Sequence, residues 1–196
     1  MKIAVTGANG HFGKILVQFL REKNFEVKPS DLFPGRPEEG AVNCDVRDLG
    51  HLVSVFQGCD AVVHLAAFPG PWTQPDAKVY QDNTVGSYNV LLACELLGIK
   101  KICQASSINA IGGVYSRLPT YDYFPVDEEH PTYSEDPYSL SKWILEIQGD
   151  CFARRREDVS ISSMRFHGLL YRDLVEPCTT NGISFKHLWA YTDPIA

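Results

Sequence analysis

The chain begins with the pattern that most restricts how it can fold. Lys2–Thr6 is a short apolar run that leads straight into Thr6-Gly7-Ala8-Asn9-Gly10-His11-Phe12-Gly13. From 11 to 23, Phe12, Ile15, Leu16, Phe19 and Leu20 recur at helical spacing. A strand, a glycine-spaced turn and a helix in that order make a βα unit. Glycines at 7, 10 and 13 permit the tight turn and let backbone approach a pyrophosphate without an intervening Cβ. The N-terminus of the following helix presents N–H groups and a partial positive charge to phosphates. Gly7, Gly10, His11, Phe12 and Gly13 are therefore candidates for cradling a dinucleotide.

The rest of the chain continues the alternation. Strands are expected at 25–28, 41–44, 60–67, 100–105 and 159–165, with a Pro/Gly-rich turn region over 29–40. Helices are expected at 49–56, 76–97 and 137–155, the last with Pro137 in its first turn. Strands alternating with helices predict an α/β fold: a doubly wound parallel (Rossmann) sheet in three α/β/α layers. No repeat or linker divides it.

Bulk properties narrow the function. With 196 residues, 44% of them hydrophobic, the chain can bury the core of one substantial domain. A net charge of -6 argues against nucleic acid or an anionic membrane surface as partner. Arg154-Arg155-Arg156, flanked by Glu157 and Asp158, reads as a solvated helix end. No apolar stretch approaches the roughly 20 residues that span a bilayer. Lys2 is followed by only three apolar residues before Thr6, so no signal peptide is expected. The six cysteines form no C-x-x-C pair and no metal-binding spacing with histidine. They are expected as buried free thiols in a reducing, cytoplasmic compartment, with no metal bound.

Further residues extend the nucleotide site. Asp31 ends the second strand, where an acid can accept both ribose hydroxyls of an adenosine. Its charge would repel a 2′-phosphate, favouring NAD over NADP, although Arg36 lies in the same loop. Asp45 and Val46 follow the third strand, where an Asp can bond the adenine amino group or simply be a polar strand end. Leu65, Ala66 and Ala67 put small side chains where backbone must pass the cofactor. His64 is a strand-end histidine with no assigned chemistry.

Tyr138 and Lys142 stand one helical turn apart on one face. A free phenol has a pKa near 10 and is a poor base at neutral pH. The lysine ammonium, helped by an oxidised nicotinamide, would favour the phenolate, which could then take a proton from a substrate hydroxyl. Ser107, after the fifth strand, could hydrogen-bond that hydroxyl or the developing carbonyl.

Together these segments resemble the extended short-chain dehydrogenase/reductase family, in its NAD-dependent epimerase/dehydratase branch. The shared marks are T-G-A-N-G-H-F-G at 6–13, H-L-A-A at 64–67, N-T-V-G-S-Y-N at 83–89, A-S-S-I-N-A-I-G at 105–112, P-Y-S-L-S-K at 137–142 and M-R-F at 164–166. The resemblance implies Ser107, Tyr138 and Lys142 as the catalytic set, with Tyr138 and Lys142 also touching NAD. Ser107 is chosen over Ser106 because it stands five before Gly112, as in the family's S-x-x-x-Y-G pattern, with Ile111 replacing the usual Tyr. Asn83 resembles a helix asparagine that orders the cofactor side, or it is a buried amide tying helix to strands.

The implied substrate is a sugar or sugar nucleotide, processed by hydride transfer. Where the family has Asn after Arg-x-x, this chain has Gly168, leaving His167 as a candidate substrate contact or a loop-packing residue. Uronate dehydrogenases also lack that Asn, so a sugar dehydrogenase releasing NADH is an alternative. A catalytically weak NAD-binding sensor is another. The expected division is an NAD-binding domain over 1–166 and the start of an incomplete or reduced substrate lobe over 167–196. The segment 114–137 is expected as an active-site flap, with Asp127-Glu128-Glu129 as a solvated turn. The resemblance also suggests a homodimer through the two long helices, for which Val79, Leu91, Ile144 and Leu145 supply apolar positions.

Overall fold

β1 (Lys2–Thr6) is apolar on both faces, and its residues from Ile3 onward are almost fully enclosed, as in a central strand covered by helices on either side. The computed structural model describes residues 1–35, 40–169 and 191–192. β1 pairs in parallel with β2 (Glu26–Asp31) and β4 (Ala61–His64). β2 is flanked by the short β3 (Val42–Asn43), and β4 by β5 (Lys101–Ser107) and then β6 (Ser160–Phe166). The order β3-β2-β1-β4-β5-β6 is the doubly wound arrangement.

One face of the sheet packs Ile3, Val5 and Ala61 against Val17 and Leu20 of α1 (His11–Glu22). The other face packs Ala4, Val62 and Ile102 against three helices. These are α2 (Leu49–Phe56), α3 (Asp76–Leu97) and α4 (Pro137–Ala153). The three α/β/α layers are thus present. β7 (Gly168–Leu169) and β8 (Tyr191–Thr192) form a separate parallel pair.

Some boundaries differ from the sequence reading. β2 continues through Pro29 to Asp31, where a turn was expected. The Ser30 carbonyl accepts from Ala8 on the β1 side, and that of Asp31 from Cys44 on the β3 side. Pro29 shares the parity of Asp31 and faces the side where β3 has not yet begun, so its missing N–H breaks no ladder bond. β4 ends at His64, three residues early. Arg36, Cys178, the run 187–190 and most of the expected substrate lobe lie outside the described residues.

α3 and α4 are stitched together by polar side chains. Ser87 Oγ donates to Gln148 Oε1 (2.6 Å), Gln148 Nε2 to the Thr84 carbonyl (3.1 Å), and Asn83 Nδ2 to Ser141 Oγ (3.0 Å). This packing corrects the expected dimer face. Val79, Leu91 and Leu145 are sealed inside the protomer and Ile144 is half-buried; the outward apolar residues of the two helices are Tyr80, Val85, Tyr88, Leu96 and Ile147.

The thiols also depart from expectation. Cys44, Cys59 and Cys94 are buried and free, but Cys103 is half-buried and Cys151 exposed. Burial pushes the Cys94 thiol up to about 12 and Cys44 to about 11, which keeps both unreactive. The arginines after α4 are held by acids, Arg155 by Glu95 (2.8 Å) and Arg156 by Asp158 (3.0 Å). Among the described residues, no helix is long and apolar enough to cross a membrane.

Candidate active site

The C-terminal ends of the parallel strands open into a crevice made of two adjoining cavities, of about 420 and 510 Å³. They meet at the β1–α1 loop, since Gly7, Gly10, Leu65 and Ala67 line both.

The loop's shape is set by close backbone contact. Gly7 has φ +69°, and a Cβ there would stand 2.6 Å from the Ala66 nitrogen. A Cβ on Gly13 would stand 2.2 Å from the Gly7 carbonyl oxygen. Glycine at 7 lets the loop lie directly on Leu65 and Ala66, beyond the end of β4, and glycine at 13 lets α1 close on the loop itself. α2 and α4 are capped by the side chains of Asp48 and Asp136, whereas α1 starts at Gly10 with no side-chain cap. A helix entrance without its own acidic cap can receive an anion.

Asp31 accepts from the N–H groups of Asn9 and Phe33, each at 3.0 Å, and lines the smaller cavity. Asp45 lines it as well, but its carboxylate is gripped by Arg47, with Nη2 at 2.6 Å and Nε at 2.9 Å. Those bonds hold the Asp45 carboxyl below the usual carboxylate range. Arg47 reaches on to Asp82 (2.9 Å). Val46 lines the same cavity and packs closely on Gly86 of α3. Asn83 is 6% exposed: its Oδ1 accepts from the Phe68 N–H (2.8 Å) and its Nδ2 donates to the Phe68 carbonyl (3.2 Å) and to Ser141. It thus ties the loop after β4 to both long helices at the cavity wall.

The larger cavity is the second half of the site. Asp136 caps α4 through the Ser139 N–H (2.9 Å), and Pro137 occupies the first turn. Tyr138 and Lys142, 8% and 5% exposed, then face β5. Ser107 ends β5 and caps a 3-10 helix over Ile108–Ile111, its Oγ accepting from the Asn109 N–H (3.1 Å). Ser107 adjoins the Tyr138 phenol and opposes the rise in its pKa, while Ser106 turns the other way and donates to Glu146. Lys142 Nζ donates to the Ala105 carbonyl (2.7 Å) and lies 5.8 Å from the centre of the Tyr138 ring.

The electrostatics differ from the sequence expectation. Burial pushes the Tyr138 phenol up to about 12, against the opposing influence of Ser107, and lowers the Lys142 ammonium to about 8. Desolvation therefore moves the phenol in the direction opposite to the depression expected from the lysine. The lysine sits over the ring and gives its proton to a carbonyl instead of the phenol oxygen. His64, buried behind the lysine, shares a 2.8 Å bond with Thr6 Oγ1; burial and the Lys142 charge lower it to about 3, so it stays neutral.

At the β6 end, His167 lines the larger cavity, and its Nδ1 is buried without a hydrogen-bond partner among the described residues. Phe166 packs on Phe12 with ring centres 5.2 Å apart. The structure thus groups the candidates in two sets. Ser107, Tyr138, Lys142, His167, His11, Phe12 and Gly13 line one cavity; Asp31, Asp45, Val46, Ala66 and Asn83 line the other.

Other participants were missed in the sequence. Tyr115 stands 5.9 Å from Tyr138, ring to ring. Glu146 is held by Arg165 (2.8 Å) as well as by Ser106, fixing α4 to β6.

The NAD dependent epimerase/dehydratase family matches residues 3–168. The chain belongs to that family. Among curated members, it is 34% identical over 183 residues to L-arabinose 1-dehydrogenase (NAD(P)(+)) of Haloferax volcanii, covering 89% of this chain and 69% of that protein. It is 30% identical over 146 residues to the uronate dehydrogenase of Pseudomonas putida, covering 72% and 51%. Among solved structures, it resembles a short-chain dehydrogenase/reductase superfamily protein of Agrobacterium tumefaciens with bound NAD. That match has a TM-score of 0.75 and 27% identity, and covers 87% of this chain and 50% of that one. The chain therefore spans between half and about two thirds of these epimerase/dehydratase-type relatives.

Proposed function

We propose that this chain is an NAD-dependent oxidoreductase or epimerase acting on a sugar or sugar nucleotide by hydride transfer assisted by Tyr138. The observation that carries the reading is the convergence of Ser107, Tyr138 and Lys142 on a cavity continuous with the glycine loop. Family membership and the sugar dehydrogenases among the relatives support it.

The residues present fit a dinucleotide. The uncapped entrance of α1, with Gly7, Gly10, His11, Phe12 and Gly13, would take the pyrophosphate. Asp31 would take the adenosine ribose and disfavour a 2′-phosphate, so NAD is preferred over NADP. Asp45 and Val46 would border the adenine, and Leu65, Ala66, Ala67 and Asn83 the middle of the cofactor. Tyr138 and Lys142 would face the nicotinamide ribose. NAD, when bound, supplies the hydride acceptor and, while oxidised, a positive charge.

The protein's part is proton handling. Ser107 Oγ would hold the substrate hydroxyl, and Tyr138 Oη would take its proton while the carbon bearing that hydroxyl gives its hydride to the acceptor that NAD would supply, leaving a carbonyl. Lys142 must bring its charge near Oη for this to run at neutral pH, and the nicotinamide charge acts in the same direction.

The specific form favoured is a sugar dehydrogenase of the uronate type. Gly168 replaces an amide, and His167 offers in the catalytic cavity a buried nitrogen without a hydrogen-bond partner among the described residues. Net gain of absorbance at the NADH band with a panel of aldoses and uronic acids tests this; turnover without NADH accumulation indicates an epimerase. If neither the parent nor Tyr138→Phe turns over any member while both bind NAD, the chain is an NAD-binding sensor. We further place it in the cytoplasm, where its free thiols stay reduced. It would pair through the outward residues Tyr80, Val85, Tyr88 and Ile147, which sedimentation at micromolar concentration checks.

A further inference from the structure

The Pro69-Gly70-Pro71-Trp72 loop follows β4 at the rim of the catalytic cavity, and the catalytic set makes no use of it. Trp72 is 73% exposed, yet it is firmly held. One face of the indole lies on the backbone at Gly70, where a Cβ would come 3.2 Å from Cε2. Its ring meets Tyr115 edge to face, with centres 4.8 Å apart at 86°. Both ends of the loop are fastened. Thr73 Oγ1 donates to the Gly70 carbonyl (2.8 Å), and Asn83 grips both backbone groups of Phe68. Two prolines fix φ between these anchors. Tyr115 lines the catalytic cavity and in turn stands edge-on to Tyr138. The three rings rise from the buried phenol, through half-buried Tyr115, to the exposed indole.

We propose that Trp72, braced edge to face by Tyr115, is a stacking surface for the hydrogen-bearing face of a six-membered sugar ring in the substrate. The proposal rests on the reading that Ser107 and Tyr138 engage a hydroxyl of that substrate. A sugar ring carries its hydroxyls mainly around the edge and C–H bonds on its faces. The edge suits Ser107 and Tyr138. The C–H face, slightly positive, suits the negative face of an aromatic ring. Indole already fixed by Gly70, two prolines and Tyr115 loses little freedom on binding, which is what makes an exposed aromatic an effective contact. A substrate diphosphate gains nothing from it.

The test uses the full chain loaded with NAD and a panel of L-arabinose, D-galactose and D-galacturonate. For a sugar that is turned over, Trp72→Ala raises KM roughly ten-fold, equivalent to about 1.4 kcal/mol. Affinity for NAD stays at the parent's value, and Trp72→Phe recovers most of the loss. In saturation-transfer NMR, the parent passes magnetisation from aromatic protons to the C–H protons of one ring face, and Trp72→Ala does not. An unchanged KM in Trp72→Ala, or NAD affinity lost in step with KM, overturns the platform and leaves the functional reading standing. Preference for a flat hydrophobic ring alcohol over every sugar overturns the carbohydrate assignment. An NAD-bound parent that neither binds nor turns over any sugar of the panel overturns the platform and the sugar-dehydrogenase form of the functional reading together.

Discussion

The two halves of the crevice are built on opposite principles. The nucleotide half is backbone laid on backbone: Gly7 and Gly13 touch main-chain atoms of Ala66, Gly7 and Ala8, and α1 begins without a side-chain cap. The proposed catalytic half is made of side chains brought from β5 and α4 and deprived of water. The first is limited by steric fit and the second by electrostatics, so the two should fail in different ways when altered.

The largest expected effect belongs to the catalytic half. Tyr138→Phe should lower turnover about a thousand-fold, within the usual range for losing a positioned acid/base, with NAD affinity unchanged by calorimetry. Gly13→Ala tests the other half. A Cβ 2.2 Å from a carbonyl oxygen must push backbone apart, so denaturant melts should show a loss of about 3 kcal/mol, with NAD binding weakened in parallel. If Gly13→Ala spared both, the steric account of the nucleotide half would fail.

His64 sits under both halves. Its folded pKa is lowered from 6.5 to about 3, so below pH 6.5 the unfolded chain binds a proton that the folded chain does not. Stability from this group is complete above pH 6.5 and declines as pH falls towards 3, by roughly 2 kcal/mol at pH 5. His64→Asn should flatten that part of the stability profile.

The smallest effect has the opposite sign. Lys142 is lowered from 10.5 to about 8, so folding is penalised most fully below pH 8, and the penalty fades as pH rises towards 10.5. Lys142→Met should therefore stabilise the fold by about 1–2 kcal/mol at pH 7, after allowing for the lost bond to Ala105. The gain should shrink above pH 8. A destabilised Lys142→Met would mean that the lysine serves the fold as much as the chemistry.

The same contrast explains what could be read from the sequence. The glycine loop and the Tyr138–Lys142 spacing are local, and a turn or one helical step determines them. The alternation of strands and helices likewise foretold the doubly wound sheet. What escaped depends on neighbours distant in the chain. Pro29 stays in β2 because β3 starts late. The grip of Arg47 on Asp45 depends on a side-chain conformation that residue type does not specify. Val79, Leu91 and Leu145 looked available for a partner until α3 and α4 closed over them. The direction of the Tyr138 shift needed its burial, which no motif reports.

The Asn83 amide has a consequence for how such a molecule could be redesigned. One side chain holds the strap at Phe68 and the helix of Tyr138 and Lys142 in a single alignment. Neither half can be re-aimed without disturbing the other. New substrate preferences are most easily grafted onto the parts that hang from this frame, the loops over 69–73 and 114–137, leaving the frame itself untouched.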